Sequence, residues 1–309
     1  MSQQPVVQLR QVTKRIGGKT LVDHLSFDVP KGEVFGFLGP NGAGKTTTIR
    51  MMVGLISMSE GEVLVNGLSV NKEFERAMKH VGAIVENPEL YKFLTGYQNL
   101  VHFARMIPGI SGERIEQVIR LVKLENRIHD KVKTYSLGMR QRLGVAQAIL
   151  HKPDVLILDE PTNGLDPEGI RELRDYLRRL AKEEGTAVIV SSHLLSEMEL
   201  MCDRVAIIQN GKLVDVRQVR DMVASGDGQA QVTVLAEPAA LAASVAAKAV
   251  PNGSVQEQPG GFTVSVDYGD IPALVRQLVL AEVSVYGVKA ASKTLEDQFL
   301  EMTRGGQIE

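Results

Sequence analysis

The stretch GPNGAGKTTT, residues 39–48, decides the fold of this chain of 309 residues. It matches the pattern G-x-x-x-x-G-K-[ST] completely, follows the apolar run EVFGFLG and opens a helix-forming segment. Glycines let the backbone fold so tightly that successive N–H groups and the helix N-terminus face an anion. The alternative is a strand–helix turn whose glycines occur by chance, and the complete motif in its required context argues against it.

Each position of this loop has an expected role in holding a triphosphate. The ammonium group of Lys45 would reach the β- and γ-phosphates, and the hydroxyl of Thr46 would bind Mg²⁺. The backbone N–H groups would face the phosphate oxygens. The positions that we expect to contact the nucleotide are Gly39, Asn41, Gly42, Ala43, Gly44, Lys45, Thr46 and Thr47.

Two other apolar runs end in polar side chains that suit phosphate chemistry. VLILDEP places Asp159 where it could hold Mg²⁺ and Glu160 where it could polarise a water molecule, while IVSSHLLSE places His193 just after a strand. Adjacent carboxylates are commonly only a solvated turn, and a lone histidine after a strand is commonly structural. Ligands of α/β proteins bind at the carboxyl ends of parallel strands, where all three residues are expected to lie near the phosphate loop. We therefore favour a functional role for Asp159, Glu160 and His193.

Bulk composition excludes several classes of protein. Apolar residues make up 44% of the chain and charged residues 23%, with a net charge of -2, so no basic field favours nucleic acid or an anionic membrane. A single cysteine, Cys202, rules out an internal disulfide. The start MSQQPVVQLR has no apolar signal-peptide core, and no run reaches the roughly 18 apolar residues of a membrane span. We expect a cytosolic protein whose membrane role would come through a partner.

The pattern along the chain predicts two domains, 1–222 and 229–309. In the first, an antiparallel hairpin turns at Gly17 and Gly18, buried parallel strands alternate with helices, and a helical insertion spans about 88–152. Small turn-forming residues at 223–230 indicate a linker. The second domain has the order β-α-β-β-α-β, which is the ferredoxin-like arrangement, followed by a short helix TLEDQFLEMT.

The segment YSLGMRQR, residues 135–142, contains an unexpected glycine. Ser136 is a good N-cap for a helix running to about Leu150. Gly138 lies in the first turn of that helix, where glycine costs about 1 kcal/mol relative to alanine. Helix formation alone therefore does not explain this residue.

In this order the motifs resemble those of the ATP-binding subunits of ABC transporters, over about residues 6–220. The resemblance rests on the phosphate loop, the signature segment 135–139, VLILDEP, the segment NGLDP at 163–167, and His193. It implies a P-loop ATPase with an α/β core, an antiparallel β subdomain and a helical subdomain, which binds ATP and Mg²⁺. In this family two such domains meet head to tail, so Ser136 and Gly138 would contact the ATP held by the other chain. Glu160 would be the general base and His193 would contact the γ-phosphate.

The chain departs from the family pattern at three places. Tyr135, Leu137 and Met139 replace residues of the usual signature LSGGQ. Ile16 stands where an aromatic residue usually stacks on adenine, and Glu86 stands where a glutamine usually contacts Mg²⁺. These positions predict that Ile16 contacts the nucleotide and that Glu86 binds the metal ion.

ENPELYKFLTGYQNL together with YSLGMRQRLGVA resembles the subfamily partnered with ABC-2-type permeases, which includes bacitracin-resistance and lantibiotic-immunity exporters. The resemblance implies a homodimer, with no nucleic acid, that is peripheral on the cytoplasmic side of the membrane and drives export of a drug, peptide or lipid-like substrate. A soluble ATPase acting on ribosomes or DNA is one rival, but the paired cassettes or long coiled coils of such proteins are not seen here. A regulatory or interaction module is a second rival, which suits the tail better than the whole chain.

Overall fold

The computed structural model describes residues 5–224, 229–250 and 253–291. It divides into two compact units, Met1–Gln218 and Val219–Glu309. The strands of the first unit are β1 Pro5–Ile16, β2 Lys19–Pro30, β3 Val34–Leu38, β4 Glu60–Val65, β5 Leu68–Ser69, β6 Val81–Ile84, β7 Val155–Asp159, β8 Ala187–Ser192, β9 Arg204–Gln209 and β10 Lys212–Gln218. Its helices are α1 Lys45–Met52, α2 Phe74–Met78, α3 Gly96–Ala104, α4 Gly112–Leu121, α5 Leu137–Ala148, α6 Pro167–Glu184 and α7 Leu195–Met201.

A six-stranded sheet in the order β10-β9-β3-β8-β7-β6 forms the centre of the first unit. Five of its strands are parallel, and β10 pairs antiparallel with β9 at the edge. Every residue of β3, β7 and β8 is buried, which is what continuous apolar runs covered on both faces predict. The predicted alternation of buried parallel strands with helices is confirmed.

A four-stranded antiparallel sheet in the order β2-β1-β4-β5 packs against the central sheet. The predicted hairpin of β1 and β2 is confirmed, and its turn residues Gly17 and Gly18 have φ of 55° and 79°. The Phe27 and Phe35 rings of the two sheets stack with centroids 5.5 Å apart. Helix α1 belongs to the same core, so the phosphate loop lies between two packed layers.

The segment 88–152 is helical, as predicted, and Arg114 ties two of its helices together. The buried guanidinium of Arg114, on α4, donates from Nη2 to the Ile149 carbonyl at 2.6 Å and from Nε to the Leu150 carbonyl at 3.1 Å. These carbonyls follow the C-terminus of α5, where a cation is favoured by the helix dipole. Burial lowers the pKa of Arg114 from its ordinary value, so the pairing with two carbonyls offsets a desolvation cost.

The second unit contains α8 Val219–Ala224, β11 Gln229–Glu237, α9 Ala239–Ala249, β12 Val255–Gln258, β13 Gly261–Asp267, α10 Ile271–Leu280 and β14 Ser284–Ala291. Its sheet has the order β12-β13-β11-β14, and each described pairing is antiparallel. Buried residues of β11, β13, α9 and α10 form a separate core. The predicted helix at 294–303 lies outside the described residues.

Within the described ranges, no helix combines the length and the apolar character needed to cross a membrane.

Replacing Arg114 by methionine should lower the free energy of unfolding by about 2–4 kcal/mol, because two buried carbonyls lose a charged donor. Urea denaturation followed by circular dichroism measures this change. Arg120→Ala, at an exposed position of the same helix, is the matched control and should change stability by less than about 0.5 kcal/mol. Equal stability of Arg114→Met and the wild type would contradict the structural role of Arg114.

Candidate nucleotide-binding site

The loop between β3 and α1 places a series of backbone groups around the N-terminus of α1. Gly42 and Gly44 have φ of 81° and 103°, which is the region that glycine adopts without strain. A Cβ on Gly39 would lie 2.4 Å from the Ile208 carbonyl oxygen, and one on Gly44 would lie 2.9 Å from the Leu21 carbonyl oxygen. Glycine is therefore required at both ends of this turn by the close packing of backbone on backbone.

Lys45 is almost fully buried, with 6% of its surface exposed. Its ammonium group donates to the Gly39 carbonyl at 2.7 Å and to the Pro40 carbonyl at 3.3 Å. Its Nζ also lies 3.5 Å from Oε1 of Glu160. The loop thus holds this cation at the helix N-terminus, next to the end of β7.

The ends of β7 and β8 bring together the polar residues predicted there. The hydroxyl of Ser191 donates to Oδ1 of Asp159 at 2.6 Å, and the backbone N–H of Glu160 donates to the same hydroxyl at 2.9 Å. Nδ1 of His193 lies 2.9 Å from Oε2 of Glu160. Glu160 has a φ of 48°, an uncommon value for a residue with a side chain and one that clusters at functional sites.

Glu160, His193 and residues of the phosphate loop line a cleft of about 430 Å³. The predicted residues Lys45, Thr46, Glu160 and His193 all contribute to it. Leu21, which no motif singles out, and Asn163, the first residue of the NGLDP segment, line it as well. The full lining is Leu21, Asn41, Gly42, Gly44, Lys45, Thr46, Thr47, Glu160, Asn163 and His193.

The predicted residues that do not line this cleft include Gly39, Ala43, Asp159, Ile16 and Glu86. Ile16 ends β1 with 54% of its surface exposed, and it is not part of the lining. Glu86 has a φ of 68° and forms an exposed ion pair with Arg50 of α1. The side chain of Glu86 therefore has a cationic partner of its own, and its role as a metal ligand stays a prediction.

Ser136 and Gly138 also lie apart from the cleft of their own chain. Ser136 is the N-cap of α5, and its hydroxyl accepts a hydrogen bond from the Met139 N–H at 3.2 Å. A Cβ on Gly138 would meet its nearest neighbour, a Leu165 methyl, at an ordinary 3.5 Å. A Cβ on Gly144 in the same helix would come within 2.5 Å of Pro88. Packing within the chain therefore requires glycine at 144 but not at 138.

The residue in front of this cap is anchored in the helical segment. The hydroxyl of Tyr135 donates to the Arg127 carbonyl at 2.7 Å, and Nη1 of Arg140 donates to the Tyr135 carbonyl at 2.6 Å. Burial raises the pKa of Tyr135, so this phenol stays protonated as the donor at neutral pH. The substitution of tyrosine for the usual leucine thus adds a hydrogen bond that fixes the start of α5.

The residues present fit a triphosphate and a magnesium ion. The bare glycine backbone, the helix N-terminus and the buried Lys45 supply the donors and positive charge that phosphate oxygens require. Thr46 and Asp159 offer hard oxygen ligands, and Mg²⁺ commonly binds through one or two side chains together with phosphates and water. Among the described residues, no group of three or more His, Cys, Asp or Glu side chains is placed to hold a metal, and Mg²⁺ bound in this way needs none.

Comparison with known proteins identifies the family of this chain. The model of the family "ABC transporter" matches residues 22–163. The chain is 57% identical to the ABC transporter ATP-binding protein YhcH of Bacillus subtilis, with 96% of each chain covered. It is 45% identical to the bacitracin transport ATP-binding protein BcrA of Bacillus licheniformis, covering 68% of this chain and 69% of BcrA. It is 39% identical to the lantibiotic transport ATP-binding protein SrtF of Streptococcus pyogenes, covering 68% and 89%.

Among solved structures, one described as the ATP-binding subunit of an ABC transporter superposes with a TM-score of 0.64 at 29% identity, covering 71% of this chain and 92% of its own. Sequence, fold and the geometry of the cleft thus agree, and the chain belongs to the ATP-binding subunits of ABC transporters, a family of ATPases.

Proposed function

We propose that this chain dimerises on ATP, hydrolyses it with Mg²⁺, and energises a separate ABC-2-type membrane permease. The observation that carries the proposal is the meeting of Lys45, Glu160 and His193 in one cleft beside the phosphate loop. Phosphoryl transfer depends mainly on positioning and charge stabilisation, and this arrangement supports both.

The residues predicted from the motifs have separate roles in the proposed reaction. Lys45 and the backbone N–H groups of the loop hold the phosphates. Thr46 and Asp159 would hold Mg²⁺, which would supply positive charge to the phosphate oxygens. Glu160 accepts a proton from the attacking water, whose oxygen forms a bond to the γ-phosphorus as the bond between that phosphorus and the leaving oxygen of ADP breaks. His193 contacts the γ-phosphate, and its Nδ1 lies 2.9 Å from Oε2 of Glu160.

The exposed start of α5 supports a site shared between two chains. A side chain at position 138 would meet no close neighbour within its own chain. The glycine is therefore better explained by the close approach of another molecule to this helix. Ser136 caps the same helix, whose N-terminus favours negative charge. We propose that the triphosphate bound by a second, identical chain is what approaches.

A groove on the helical side of β6 supports a protein partner for the transporter function. It has a volume of about 460 Å³, and its lining includes Pro88, Tyr91 and Phe103. The neighbouring side chains of Phe93 and Met106 are 70% and 61% exposed. An apolar, aromatic rim of this kind is typical of a surface that binds another protein, and we propose that the permease docks there.

The names of BcrA and SrtF refer to bacitracin and lantibiotic transport. By analogy with them, we propose export of a drug, peptide or lipid-like substrate, with the chain attached to the cytoplasmic side of the membrane through its permease.

We propose that residues 229–309 form an accessory domain of the ferredoxin-like type and that residues 1–222 form an ATPase domain. Its strand order β12-β13-β11-β14, with a helix after β11 and another after β13, supports this assignment.

Glu160→Gln should reduce steady-state ATP turnover by about 10²- to 10⁴-fold, because the amide keeps the shape of the side chain but cannot accept the proton. ATP binding should persist, so ATP that is not hydrolysed should hold two chains together. Turnover is measured by phosphate release, and dimerisation by light scattering with and without ATP. Glu183→Gln, at an exposed position of α6, is the matched control. Turnover of Glu160→Gln close to that of the wild type would remove Glu160 from the mechanism.

Ser136→Arg and Lys45→Ala should each fail to form an ATP-dependent homodimer, whereas their mixture should form one. If Ser136 serves the ATP of the other chain, a mixed dimer collects both lesions in one site and leaves the other site intact. Differently tagged chains are mixed with ATP, and association is measured by pull-down. If both variants are folded and the wild type associates in the same pull-down, a mixture that does not associate would contradict the shared site.

A further inference from the structure

The carboxylate of Glu197, on α7, receives hydrogen bonds from both loops of the cleft. The hydroxyl of Thr162 donates to Oε2 of Glu197 at 2.6 Å, and the hydroxyl of Ser192 donates to the same oxygen at 3.3 Å. Thr162 follows β7 and Ser192 ends β8. One oxygen atom thus connects the segment that carries Glu160 with the segment that carries His193.

Both hydroxyls are buried, which makes this contact costly to lose. Thr162 is 4% exposed and Ser192 is fully buried. The hydroxyl of Ser192 already accepts the Leu194 N–H at 3.0 Å, so its proton is free to serve Glu197. A buried hydroxyl that loses its acceptor keeps the full desolvation cost. The loops are therefore expected to rearrange when the carboxylate is removed.

The two hydroxyls lie close in sequence to the residues that act in the cleft. The N–H of Asn163 donates to the Glu160 carbonyl at 3.2 Å, so Thr162 lies inside the turn that begins at Glu160. Ser192 immediately precedes His193. Fixing Thr162 and Ser192 therefore fixes the backbone from which Glu160 and His193 extend to their contact at 2.9 Å.

Helix α7 gives Glu197 a firm base. The next residue, Met198, is fully buried, and Met201 is 1% exposed. A Cβ on Gly36 of β3 would lie 2.8 Å from the sulfur of Met198, which places the helix directly against the central sheet. The helix that carries Glu197 thus packs against β3, the strand that leads into the phosphate loop.

We propose that Glu197 is a positioning residue for ATP hydrolysis, which holds the Glu160 and His193 loops in register through the hydroxyls of Thr162 and Ser192. This inference rests on the proposed role of Glu160 as the general base. Glu197 is not among the residues that line the cleft. Its removal should therefore reduce turnover more than it weakens nucleotide binding.

The test compares four single variants and one double variant of the full chain. Glu197→Ala removes the acceptor, and Thr162→Val removes one donor while keeping the shape. Glu197→Gln keeps one side-chain oxygen with two lone pairs, enough to accept both hydroxyls. Glu199→Ala is the matched control, because Glu199 is also half-buried on α7 and has no hydrogen-bond or ion-pair partner in the described part of the chain.

We expect Glu197→Ala to lower turnover at saturating ATP about tenfold or more, with the Kd for trinitrophenyl-ATP within about twofold of the wild type. Glu197→Gln should recover turnover to within about threefold, and Glu199→Ala should match the wild type. The double variant Thr162→Val with Glu197→Ala should lose little more than Glu197→Ala alone, since both remove the same contact. Turnover is expressed per folded, nucleotide-binding chain, so that a purely structural effect does not change it.

If Glu197→Ala turns over like the wild type while Glu160→Gln is inactive, the positioning role is overturned and the proposed function stands. If Glu197→Gln is as impaired as Glu197→Ala, the charge of Glu197 acts rather than its hydrogen bonds, and the inference is equally overturned. Normal turnover of Glu160→Gln would instead overturn the proposed function.

Discussion

The backbone of the phosphate loop packs directly against the backbone of the hairpin and of the turn after β9. The packing of the first unit follows from this close contact. The N–H of Gly211, in the turn between β9 and β10, donates to the Ala43 carbonyl at 3.0 Å. The Gly211 carbonyl in turn accepts the Asp23 N–H from β2 at 2.8 Å. The loop, the edge of the central sheet and the hairpin are therefore joined by main-chain hydrogen bonds, which a side chain on Gly39 or Gly44 would force apart. Moving either sheet would change the shape of the anion site.

Much of this arrangement could be predicted from the sequence because the signals are local. A continuous apolar run predicts a strand buried on both faces, and the glycine pattern at 39–44 predicts a backbone turn that faces an anion. The N-cap at Ser136 is equally local and is confirmed by its hydrogen bond to Met139. By contrast, the contacts of Ser191 and Glu197 could not be predicted. Asp159 meets Ser191 because β7 and β8 pair in a particular register, and no sequence pattern specifies the register of strands that are about thirty residues apart.

Ile16 and Glu86 do not line the cleft, and both absences have a common explanation. Each occupies a position where relatives carry another type of residue. A resemblance to relatives predicts where the backbone of a residue lies. The contacts of its side chain depend on the type of side chain that this sequence places there. Glu86 pairs with Arg50, a cation on the phosphate-loop helix itself, and Ile16 has no polar group to direct it. Near the cleft, Leu21 supplies apolar surface from the other side of the same hairpin. The hairpin thus still contributes to the cleft, through a different residue.

Glu160 is oriented by constraints that come from three different elements. Its Oε1 lies near Lys45 from α1, its Oε2 contacts His193 after β8, and its backbone N–H is held by Ser191 within β8. A carboxylate whose two oxygens contact two different partners cannot rotate freely. The left-handed backbone conformation of Glu160 restricts the orientation of its side chain further. The orientation of Glu160 therefore depends on the relative positions of α1, β7 and β8. Because buried sheets and helices respond to displacement by repacking rather than by gradual deformation, a small shift of one of these elements would be expected to disturb the cleft as a whole. Through such coupling, movement at the groove proposed for the permease would reach Lys45, Glu160 and His193.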